Sequence, residues 1–475
     1  MPDSDIIEAD ICVIGAGSGG LSVAAGAAQM GAETVLIEKG LMGGDCLNFG
    51  CVPSKALLAA GHAADAVRRA SGFGIDAGRP IIDAGRIYGH VRDTIATIAP
   101  NDSVERFEGL GVTVIQQAAR FTGAGEVLAG TRRIRARRFV IATGSSPLVP
   151  PIPGLDDVPF YTNENIFDGP GLPEHLIVIG GGPIGIEMAQ AHRQLGAAVT
   201  VLEMFSIMPK DDPELVDVVR QRLVAGGIDL KEGVKVTGVE KTETGIAAVI
   251  EADGAEHRIS GSHLLVAAGR KANVDGLGLD EAGIAYSPRG IQVDKRLRTT
   301  NKKVFAIGDV AGGYQFTHVA GYHAGIVIRN ALFRLPAKAD MTAVPWVTYT
   351  DPELAQVGLT EAEARRAHGD IRVLTWPFTD NDRAIAERRT EGMVKAVTTP
   401  GGRILGAGIV GAHAGELIGT WGLALSKKMK IGDMASMIAP YPTRGEASKR
   451  AAASFYTDRL FGPGTRRLVR FLRIF

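Results

Sequence analysis

The chain has 475 residues, of which 45% are hydrophobic and 22% are charged, a balance that is ordinary for a folded globular enzyme and unlike that of a disordered chain. This length exceeds one ordinary domain and predicts three or four packed units. Lys and Arg together number 52, as do Asp and Glu, so the net charge gives no reason to expect a nucleic-acid partner.

No apolar run reaches membrane-spanning length, and the N-terminus begins Met-Pro-Asp-Ser-Asp, which is acidic where a signal peptide would be basic. We therefore expect a cytoplasmic protein. The chain has 3 cysteines, and in a reducing compartment so few cysteines favour catalysis over disulfide stapling. Cys12 lies in an apolar segment, where we predict a buried and inert thiol.

The first predicted elements form a dinucleotide-binding unit. A buried strand, a glycine-rich turn, a small-residue helix and a second strand follow one another over residues 6–38. Glycines in such a turn let the backbone approach a pyrophosphate, and the helix N-terminus stabilises its charge. Glu38 closes the second strand at nearly the expected spacing and can bind a ribose hydroxyl. The glycines of the turn are Gly15, Gly17 and Gly20.

The next stretch, Gly43-Gly-Asp-Cys-Leu-Asn-Phe-Gly-Cys-Val-Pro-Ser-Lys55, holds Cys46 and Cys51. Pro53 suits the first turn of the apolar-periodic run 56–67, so we predict the pair at a helix N-terminus, where the dipole favours a thiolate. A disulfide that closes so short a loop gains little loop entropy and should be easily reduced. The alternatives are two reduced surface thiols or a partial metal site, although no second Cys or His pair supplies the ligands of a zinc site.

This stretch closely resembles the active site of the class I pyridine nucleotide-disulfide oxidoreductases, a family that includes dihydrolipoamide dehydrogenase, glutathione reductase and mercuric reductase. The family motif has Thr where this chain has Asp45. The resemblance implies bound FAD and a redox-active disulfide between Cys46 and Cys51, with Cys46 as the outer thiol that attacks the substrate. It also implies that Lys55 lies near the flavin, paired with Glu187.

A second dinucleotide unit follows the proline-rich segment 147–153, which we interpret as a linker. Its next strand ends in Glu203, an acid that should accept hydrogen bonds from a free ribose 2′-hydroxyl and repel a 2′-phosphate. No Arg or Lys follows until Lys210. We therefore predict NADH in preference to NADPH; the alternatives are a solvated strand end at Glu203 or a phosphate site on another loop. The glycines of this unit are Gly180, Gly182 and Gly185.

Further segments resemble flavin-binding positions of the family. Residues 139–144 are similar to the strand that returns to the flavin domain, which makes Thr143 and Gly144 candidate cofactor contacts. Val304-Phe-Ala-Ile-Gly-Asp309 resembles the second flavin fingerprint, downstream of Ala267-Ala-Gly269-Arg270, and implies that Asp309 binds the ribityl chain. The resemblance would bring the segment of His318 under the isoalloxazine ring, with structural packing of this His as an equal alternative.

From about residue 341 the sequence resembles the interface domain of the family, which implies a homodimer. The family segment His-Pro-Thr-x-x-Glu reads Tyr441-Pro-Thr-Arg-Gly-Glu446 here, and Tyr441 and Glu446 are expected to line the substrate side from the other subunit. A phenol with a pKa near ~10 is a poor general base compared with an imidazole near ~6.5. Mercuric reductases are similar in having tyrosine here, but this chain lacks their C-terminal cysteine pair.

The last residues, 466–475, interleave four arginines with apolar side chains. This basic amphipathic pattern is compatible with weak contact to an anionic membrane surface or with an acidic partner. The alternative is a terminal helix that packs on the dimer and leaves its arginines solvated.

Together these features predict an α/β protein with two Rossmann-like dinucleotide-binding domains, for FAD and NAD(P), and a C-terminal α+β dimerisation domain. The predicted activity is that of an FAD-dependent NAD(P)H:disulfide (dithiol) oxidoreductase similar to dihydrolipoamide dehydrogenase, acting on a small or protein-bound disulfide. The alternatives are a mercuric reductase-like enzyme for Hg(II) or another thiophilic metal, and a redox-sensing flavoprotein with little turnover. The predicted boundaries are 1–150 and 273–340 for the two parts of the FAD domain, 151–272 for the NAD(P) domain, 341–465 for the interface domain and 466–475 for the tail.

Overall fold

The computed structural model describes residues 6–169, 171–243 and 245–474. The described chain forms two compact units, each with its own hydrophobic core. The first unit comprises the described residues within Met1–Gly180, Gln194–Ala198 and Lys235–Asp340. The second comprises those within Gly181–Arg193, Val199–Val234 and Met341–Phe475.

The α-helices of the described residues are α1 (Ser18–Gln29), α2 (Gly44–Asn48), α3 (Cys51–Arg69), α4 (Ala84–Ile98), α5 (Val104–Gly109), α6 (Pro183–Gln194), α7 (Pro213–Ala225), α8 (Thr317–Ala331), α9 (Glu361–His368), α10 (Asp382–Ala386), α11 (Ala414–Ser426), α12 (Ile431–Ser436), α13 (Glu446–Ser454), α14 (Thr457–Leu460) and α15 (Pro463–Leu472). Nowhere in the described ranges does a helix combine the length and the apolar character needed to cross a membrane.

The strands of the described residues are β1 (Ile6–Ile14), β2 (Thr34–Ile37), β3 (Val112–Ile115), β4 (Ala119–Gly123), β5 (Glu126–Ala129), β6 (Arg132–Ile141), β7 (Ser145–Pro147), β8 (His175–Ile179), β9 (Ala198–Glu203), β10 (Asp229–Glu232), β11 (Lys235–Thr242), β12 (Gly245–Ala252), β13 (Ala255–Gly261), β14 (His263–Val266), β15 (Arg270–Ala272), β16 (Tyr286–Ser287), β17 (Gly290–Ile291), β18 (Val304–Ala306), β19 (Pro345–Thr348), β20 (Glu353–Gly358), β21 (Arg372–Pro377), β22 (Met393–Thr398) and β23 (Ile404–Gly411).

The main sheet of the first unit has the strand order β3-β2-β1-β6-β5-β4, and β18 also pairs with β6. Strands β1, β2, β3, β6 and β18 pair in parallel, whereas β4, β5 and β6 pair antiparallel. Ile14 at the end of β1 lies opposite both Ile37 of β2 and Ile141 of β6. The carboxyl ends of these strands therefore meet at one edge, which is where open α/β sheets bind their ligands.

Strand β1 is buried on both of its faces, as expected for a central parallel strand with an almost continuous apolar sequence. Ile11 and Val13 belong to one core cluster of the first unit, and Cys12 and Ile14 to another. Burial raises the pKa of the Cys12 thiol, so this cysteine is a buried and unreactive group, as predicted.

The strands of the second predicted dinucleotide unit also pair in parallel. In the first unit β8 pairs with β14, and in the second unit β9 pairs with β10. An antiparallel sheet, β11-β12-β13, follows β10 in the chain. The sequence between β7 and β8 contains little regular structure, which agrees with the linker predicted over residues 147–153.

The C-terminal part of the second unit is an antiparallel sheet of order β19-β20-β23-β22-β21 packed against helices. Trp421 of α11 is fully buried in its core, and the indole N–H donates to the Ser448 hydroxyl of α13 at 3.0 Å. Phe378, equally buried, joins the same cluster. The predicted α/β class with a C-terminal α+β region is confirmed.

Candidate active site

The two cysteines of the predicted redox pair lie on consecutive helices of the first unit. Cys51 is the first residue of α3, as expected for a thiol at a helix N-terminus, whereas Cys46 lies within the short helix α2. The turn before α2 needs glycine, since Gly43 has φ of 88° and an added Cβ would lie 2.4 Å from the Leu47 side chain. The amide of Asn48 donates to the carbonyls of residues 42 and 44 and fixes this turn.

Hydrogen bonds and charge distinguish the two thiols, neither of which forms a disulfide in the structure. A hydrogen bond from the Cys46 thiol lowers the pKa of Cys51 to about 6, with further lowering by the Thr317 hydroxyl and the charge of Lys55. The same hydrogen bond and burial raise the pKa of Cys46. Cys51 is therefore the thiolate at neutral pH, and Cys46 keeps its proton and donates it to that thiolate.

Thr317 was not among the residues that the sequence analysis identified. It is the first residue of α8, and its Oγ1 lies 3.6 Å from the Sγ of Cys51. The contact joins positions 266 residues apart, so no local pattern could have revealed it. His318, the next residue, is exposed and stacks on Phe316 with ring centroids 5.3 Å apart, so it is not a buried packing residue.

Asp45, which departs from the family motif, belongs to a polar network beside the cysteines. Its Oδ1 accepts from the Asn163 amide at 3.0 Å and lies 3.2 Å from a guanidinium nitrogen of Arg270. Arg270 also donates to the Ser145 hydroxyl at 2.7 Å, and this hydroxyl donates to Asp309 at 2.6 Å. The predicted flavin contact Asp309 is thus connected to the cysteine turn through residues distant in sequence.

The carboxyl of Asp309 is largely buried within this network. Burial raises its pKa, and this effect is opposed by the Ser145 hydrogen bond and the Arg270 charge. Thr143 and Gly144 directly precede Ser145 and are fixed by Asn273. The Thr143 hydroxyl donates to the Asn273 carbonyl at 2.8 Å, and the Asn273 backbone N–H donates to the Gly144 carbonyl at 3.0 Å. These contacts hold in place the segment that the resemblance assigns to the cofactor.

The first glycine-rich turn has the geometry of a dinucleotide cradle. Gly15 has φ of +104°, and an added Cβ would lie 2.4 Å from the Ala142 carbonyl oxygen. A Cβ on Gly20 would lie 1.8 Å from the Gly15 carbonyl oxygen, whereas Gly17 is open. The Glu38 carboxylate accepts from the backbone N–H of Ala16 at 2.6 Å, which fixes it beside the turn. These residues fit the pyrophosphate and ribose of FAD.

The second turn repeats this construction. In the first unit, Gly180 has φ of +115° and an added Cβ would lie 2.4 Å from the Ala267 carbonyl oxygen. In the second unit, Glu203 accepts from the Gly181 backbone N–H at 2.6 Å, and no atom lies within 4 Å of a Cβ placed on Gly182. Gly185 lies in α6, and Gly269 has φ of +131° and accepts from the Leu148 N–H. Within the second unit, the open position at Gly182 and the acid held beside Gly181 fit a nicotinamide dinucleotide.

Tyr441 and Glu446 lie in the second unit, where Glu446 begins α13. Tyr441 is 71% exposed, and its hydroxyl donates to the Asp382 carboxylate at 2.8 Å. The hydrogen bond to Asp382 and its negative charge raise the pKa of Tyr441 above the ordinary phenol value. A smaller fraction of Tyr441 is therefore ionised at neutral pH than of an isolated tyrosine, so it is poorly suited to accept a proton there, and it acts as a hydrogen-bond donor.

Glu187 is buried in the second unit and accepts from the Tyr349 backbone N–H at 2.9 Å. Its predicted pairing with Lys55 stays a prediction. The residues that sequence reasoning missed are Thr317, Asn163, Ser145 and Asp382, together with a role for Arg270, and the one local signal among them was the Ala-Ala-Gly-Arg string that ends at Arg270.

Comparison with known proteins identifies related sequences and structures. Residues 9–324 match the family described as pyridine nucleotide-disulphide oxidoreductase, and residues 344–452 match its dimerisation domain. The mercuric reductase of Streptomyces lividans is 34% identical over 458 residues, which cover 94% of this chain and 96% of that protein. The dihydrolipoyl dehydrogenase of Thermus scotoductus is 36% identical over 459 residues, which cover 94% of this chain and 97% of that protein.

The chain is also similar to solved structures of flavoprotein disulfide reductases. The Cu(II) complex of the HOCl-induced flavoprotein disulfide reductase RclA from Escherichia coli superposes with a TM-score of 0.83 at 28% identity, covering 92% of this chain and 98% of that one. The matches extend over both glycine-rich turns, the cysteine pair and the C-terminal sheet. The chain therefore belongs to the pyridine nucleotide-disulfide oxidoreductase family, the flavoprotein class to which disulfide reductases of this fold belong.

Proposed function

We propose that this protein is a cytoplasmic, homodimeric, NADH-dependent flavoprotein oxidoreductase that uses Cys46 and Cys51 to reduce a disulfide substrate. The observation that carries the proposal is the asymmetry of the two thiols: one is stabilised as a thiolate by surrounding donors, and the other keeps its proton. A pair of surface thiols without a redox role has no need of such an arrangement. The match to the dimerisation domain supports the homodimer.

FAD, when bound, supplies two-electron transfer between the nicotinamide and the cysteine pair. The protein side of the reaction is thiol–disulfide exchange. The hydrogen bond between the thiols gives the Cys46 proton a path to Cys51, and the Cys46 thiolate then attacks one sulfur of the substrate disulfide. A mixed disulfide forms, and the first substrate sulfur leaves as a thiol after taking up a proton.

Cys51 completes the exchange when its Sγ attacks the Sγ of Cys46 and releases the second substrate sulfur. The substrate gains two electrons and two protons. The cysteine pair supplies both electrons and the one proton that it holds, the second proton comes from water, and the pair becomes a disulfide. Lys55 and Thr317 stabilise the thiolate of Cys51 in the reduced enzyme before substrate binds. They therefore favour the ionised form of the second nucleophile.

The preference for NADH is supported by Glu203. Its carboxylate accepts from the N–H groups of Gly181 and Phe205, which fix it at the end of β9. An anion at this point of the fold accepts hydrogen bonds from a ribose 2′-hydroxyl and repels a 2′-phosphate.

The direction of catalysis is supported by Tyr441. Oxidation of a dihydrolipoyl dithiol needs a base that removes a thiol proton, and a phenol bonded to a carboxylate is unsuited to this step. Reduction of a disulfide instead needs a donor for the departing sulfur, which a tyrosine hydroxyl can provide. We therefore favour a lipoyl-type or other disulfide as the acceptor of electrons from NADH.

A metal-ion acceptor is the second candidate function, and Tyr441 is the observation that favours it. The chain is similar to mercuric reductases over nearly its whole length. Its Tyr441 also resembles the tyrosine that the sequence comparison with that branch implies at this position. Hg(II) or another thiophilic ion would be the substrate of the cysteine pair, with the exposed Cys51 and the half-buried Cys46 as its thiol ligands.

The test combines thiol labelling with acceptor turnover. The purified holoenzyme is treated anaerobically with NADH or NADPH, alkylated, and examined by mass spectrometry for label on Cys46 and Cys51. We expect label on both after NADH treatment, less with NADPH, and none before reduction. NADH consumption is then measured with lipoamide, glutathione disulfide and Hg(II). The acceptor with the highest kcat/KM distinguishes a disulfide reductase from a metal-ion reductase.

Two variants make the test specific. Cys46→Ser removes the attacking thiol and should abolish disulfide turnover while leaving the flavin bound. Cys12→Ala is the matched control, since that thiol is buried away from the pair and its loss should not change turnover. Retained turnover in Cys46→Ser, or failure of NADH to expose the two thiols to alkylation, would refute the proposal.

A further inference from the structure

The C-terminal helix α15 has two opposite faces of different chemistry. At about 100° per residue, its apolar side chains fall within an arc of about 160°, and its arginines fall within about 120° on the opposite side. The apolar face comprises Leu468, Val469, Phe471 and Leu472, and the basic face comprises Arg466, Arg467, Arg470 and the adjoining Arg473.

Side chains on both faces of α15 are exposed in the described chain. Leu468 is 55% exposed, Val469 is 52% exposed and Leu472 is 55% exposed, and the helix has no buried residue. Other amphipathic helices of this protein cover their apolar face: α4 buries Tyr88 and Val91. A contiguous apolar stripe left in water is unusual for a folded domain and indicates a partner.

The positive charge of the C-terminal residues indicates the kind of partner that α15 would bind. Residues 459–474 contain five arginines and no acidic residue, in a chain whose net charge is zero. A strongly basic face opposite an apolar face is the composition of helices that lie in the plane of a bilayer surface, with arginines among anionic headgroups and apolar side chains at the acyl boundary. The match to the dimerisation domain ends at residue 452, before α15 begins.

We propose that α15 binds the surface of an anionic phospholipid bilayer and holds this oxidoreductase at the membrane without crossing it. The helix has ten residues and spans about 15 Å, which suits a position parallel to the surface. The inference is independent of the substrate of the cysteine pair.

Vesicle flotation of the full-length holoprotein tests the proposal. Vesicles of phosphatidylcholine alone are compared with vesicles of phosphatidylcholine and phosphatidylglycerol at about three to one, at low and at high salt. We expect binding to the anionic vesicles that weakens as salt rises, and little binding to neutral ones. Amide hydrogen exchange with anionic vesicles should show new protection confined to residues 463–473.

Variants of each face separate the two contributions. Arg467→Gln/Arg470→Gln should weaken binding to anionic vesicles roughly 25-fold, at about fivefold per arginine. Leu468→Ser/Leu472→Ser should weaken it by roughly tenfold for each leucine. Arg132→Gln/Arg366→Gln is the matched control, because it removes the same charge from exposed positions outside the tail and should leave binding unchanged.

Three results would overturn the proposal. Absence of binding to anionic vesicles would do so, as would an equal loss of binding in the control and in the basic-face variant. A change of oligomeric state in the apolar-face variant, seen by light scattering without vesicles, would assign α15 to a second copy of this chain instead. NADH consumption in solution should be the same for all these variants, which keeps this test separate from that of the redox function.

Discussion

The hydroxyl of Thr317 is predicted to hold Cys51 as a thiolate. Its oxygen lies 3.6 Å from the Cys51 sulfur, and it is one of the groups that lower the pKa of Cys51 to about 6. A hydrogen bond to a charged group contributes about 1.5–3 kcal/mol, and the long contact to sulfur places this one at the lower end. Since about 1.4 kcal/mol corresponds to one pKa unit, Thr317→Ala should raise the pKa of Cys51 to about 7.

Alkylation of the reduced protein measures this change. At pH 6 the thiolate fraction should fall from about one half to about one tenth, so Cys51 of the variant should react roughly fivefold more slowly than that of the parent. Above about pH 8 the two proteins should react alike, because both are almost fully ionised. Label on Cys51 is distinguished from label on Cys46 by fragmentation of the peptide that carries both.

Thr317→Ser is the control, because it keeps the hydroxyl and removes only a methyl group. Its alkylation profile should match that of the parent. If Thr317→Ala gave the parent profile, the hydroxyl would have no part in stabilising the thiolate. If Ser and Ala shifted the pKa equally, the effect would come from packing of the methyl group and the reasoning from the hydrogen bond would fail.

Three further changes test other parts of the structure. Asp211 is buried, and burial raises its pKa to about 6, so it stabilises the fold at low pH and this stability is lost as the pH rises from about 4 through about 6. Asp211→Asn keeps an acceptor for the Trp346 indole and should raise the free energy of unfolding by about 3 kcal/mol at pH 8 and by little below pH 4, as measured by urea unfolding. Arg270→Ala should cost about 2–4 kcal/mol in the same assay because it leaves buried partners unpaired, whereas Arg258→Ala, from an exposed ion pair, should cost less than about 1 kcal/mol. Tyr441→His should speed oxidation of a dihydrolipoyl dithiol by roughly a hundredfold near neutral pH, and an unchanged rate would show that Tyr441 is not at the position of the family base.

The parts of this fold that could be predicted from sequence are those whose signal is local. The strand, glycine turn and acid of residues 6–38 report a single βαβ unit, and the structure has β1, α1 and β2 at the predicted places. The cysteine turn is equally local, because glycine and proline at fixed offsets from Cys46 and Cys51 determine the backbone there. Tyr441 could be identified as a departure from the family motif for the same reason.

The surroundings of the reactive sulfur could not be predicted in this way. Cys51 meets Thr317 across 266 residues, and Asp382 meets Tyr441 across 59. Thr and Asp occur throughout the chain, so the residue type alone does not indicate these contacts. Only the register of the strands and the packing of the helices bring them together, and both depend on residues far apart in the chain.

Asp45 shows how contacts with distant residues change the effect of a single difference from the family motif. In the sequence it is a carboxylate beside Cys46 where the family has a neutral Thr, and its charge raises the pKa of both cysteines. In the structure Arg270 lies 3.2 Å from that carboxylate and supplies a compensating positive charge, while the Asn163 amide donates to it as well. The acid is therefore paired and hydrogen-bonded, and its effect on the thiols is moderated by residues more than a hundred positions away. A change at Asp45 alone would leave Arg270 with Asp309, at 4.0 Å, as its remaining acidic partner, so Asp45 and Arg270 act as one element of the site.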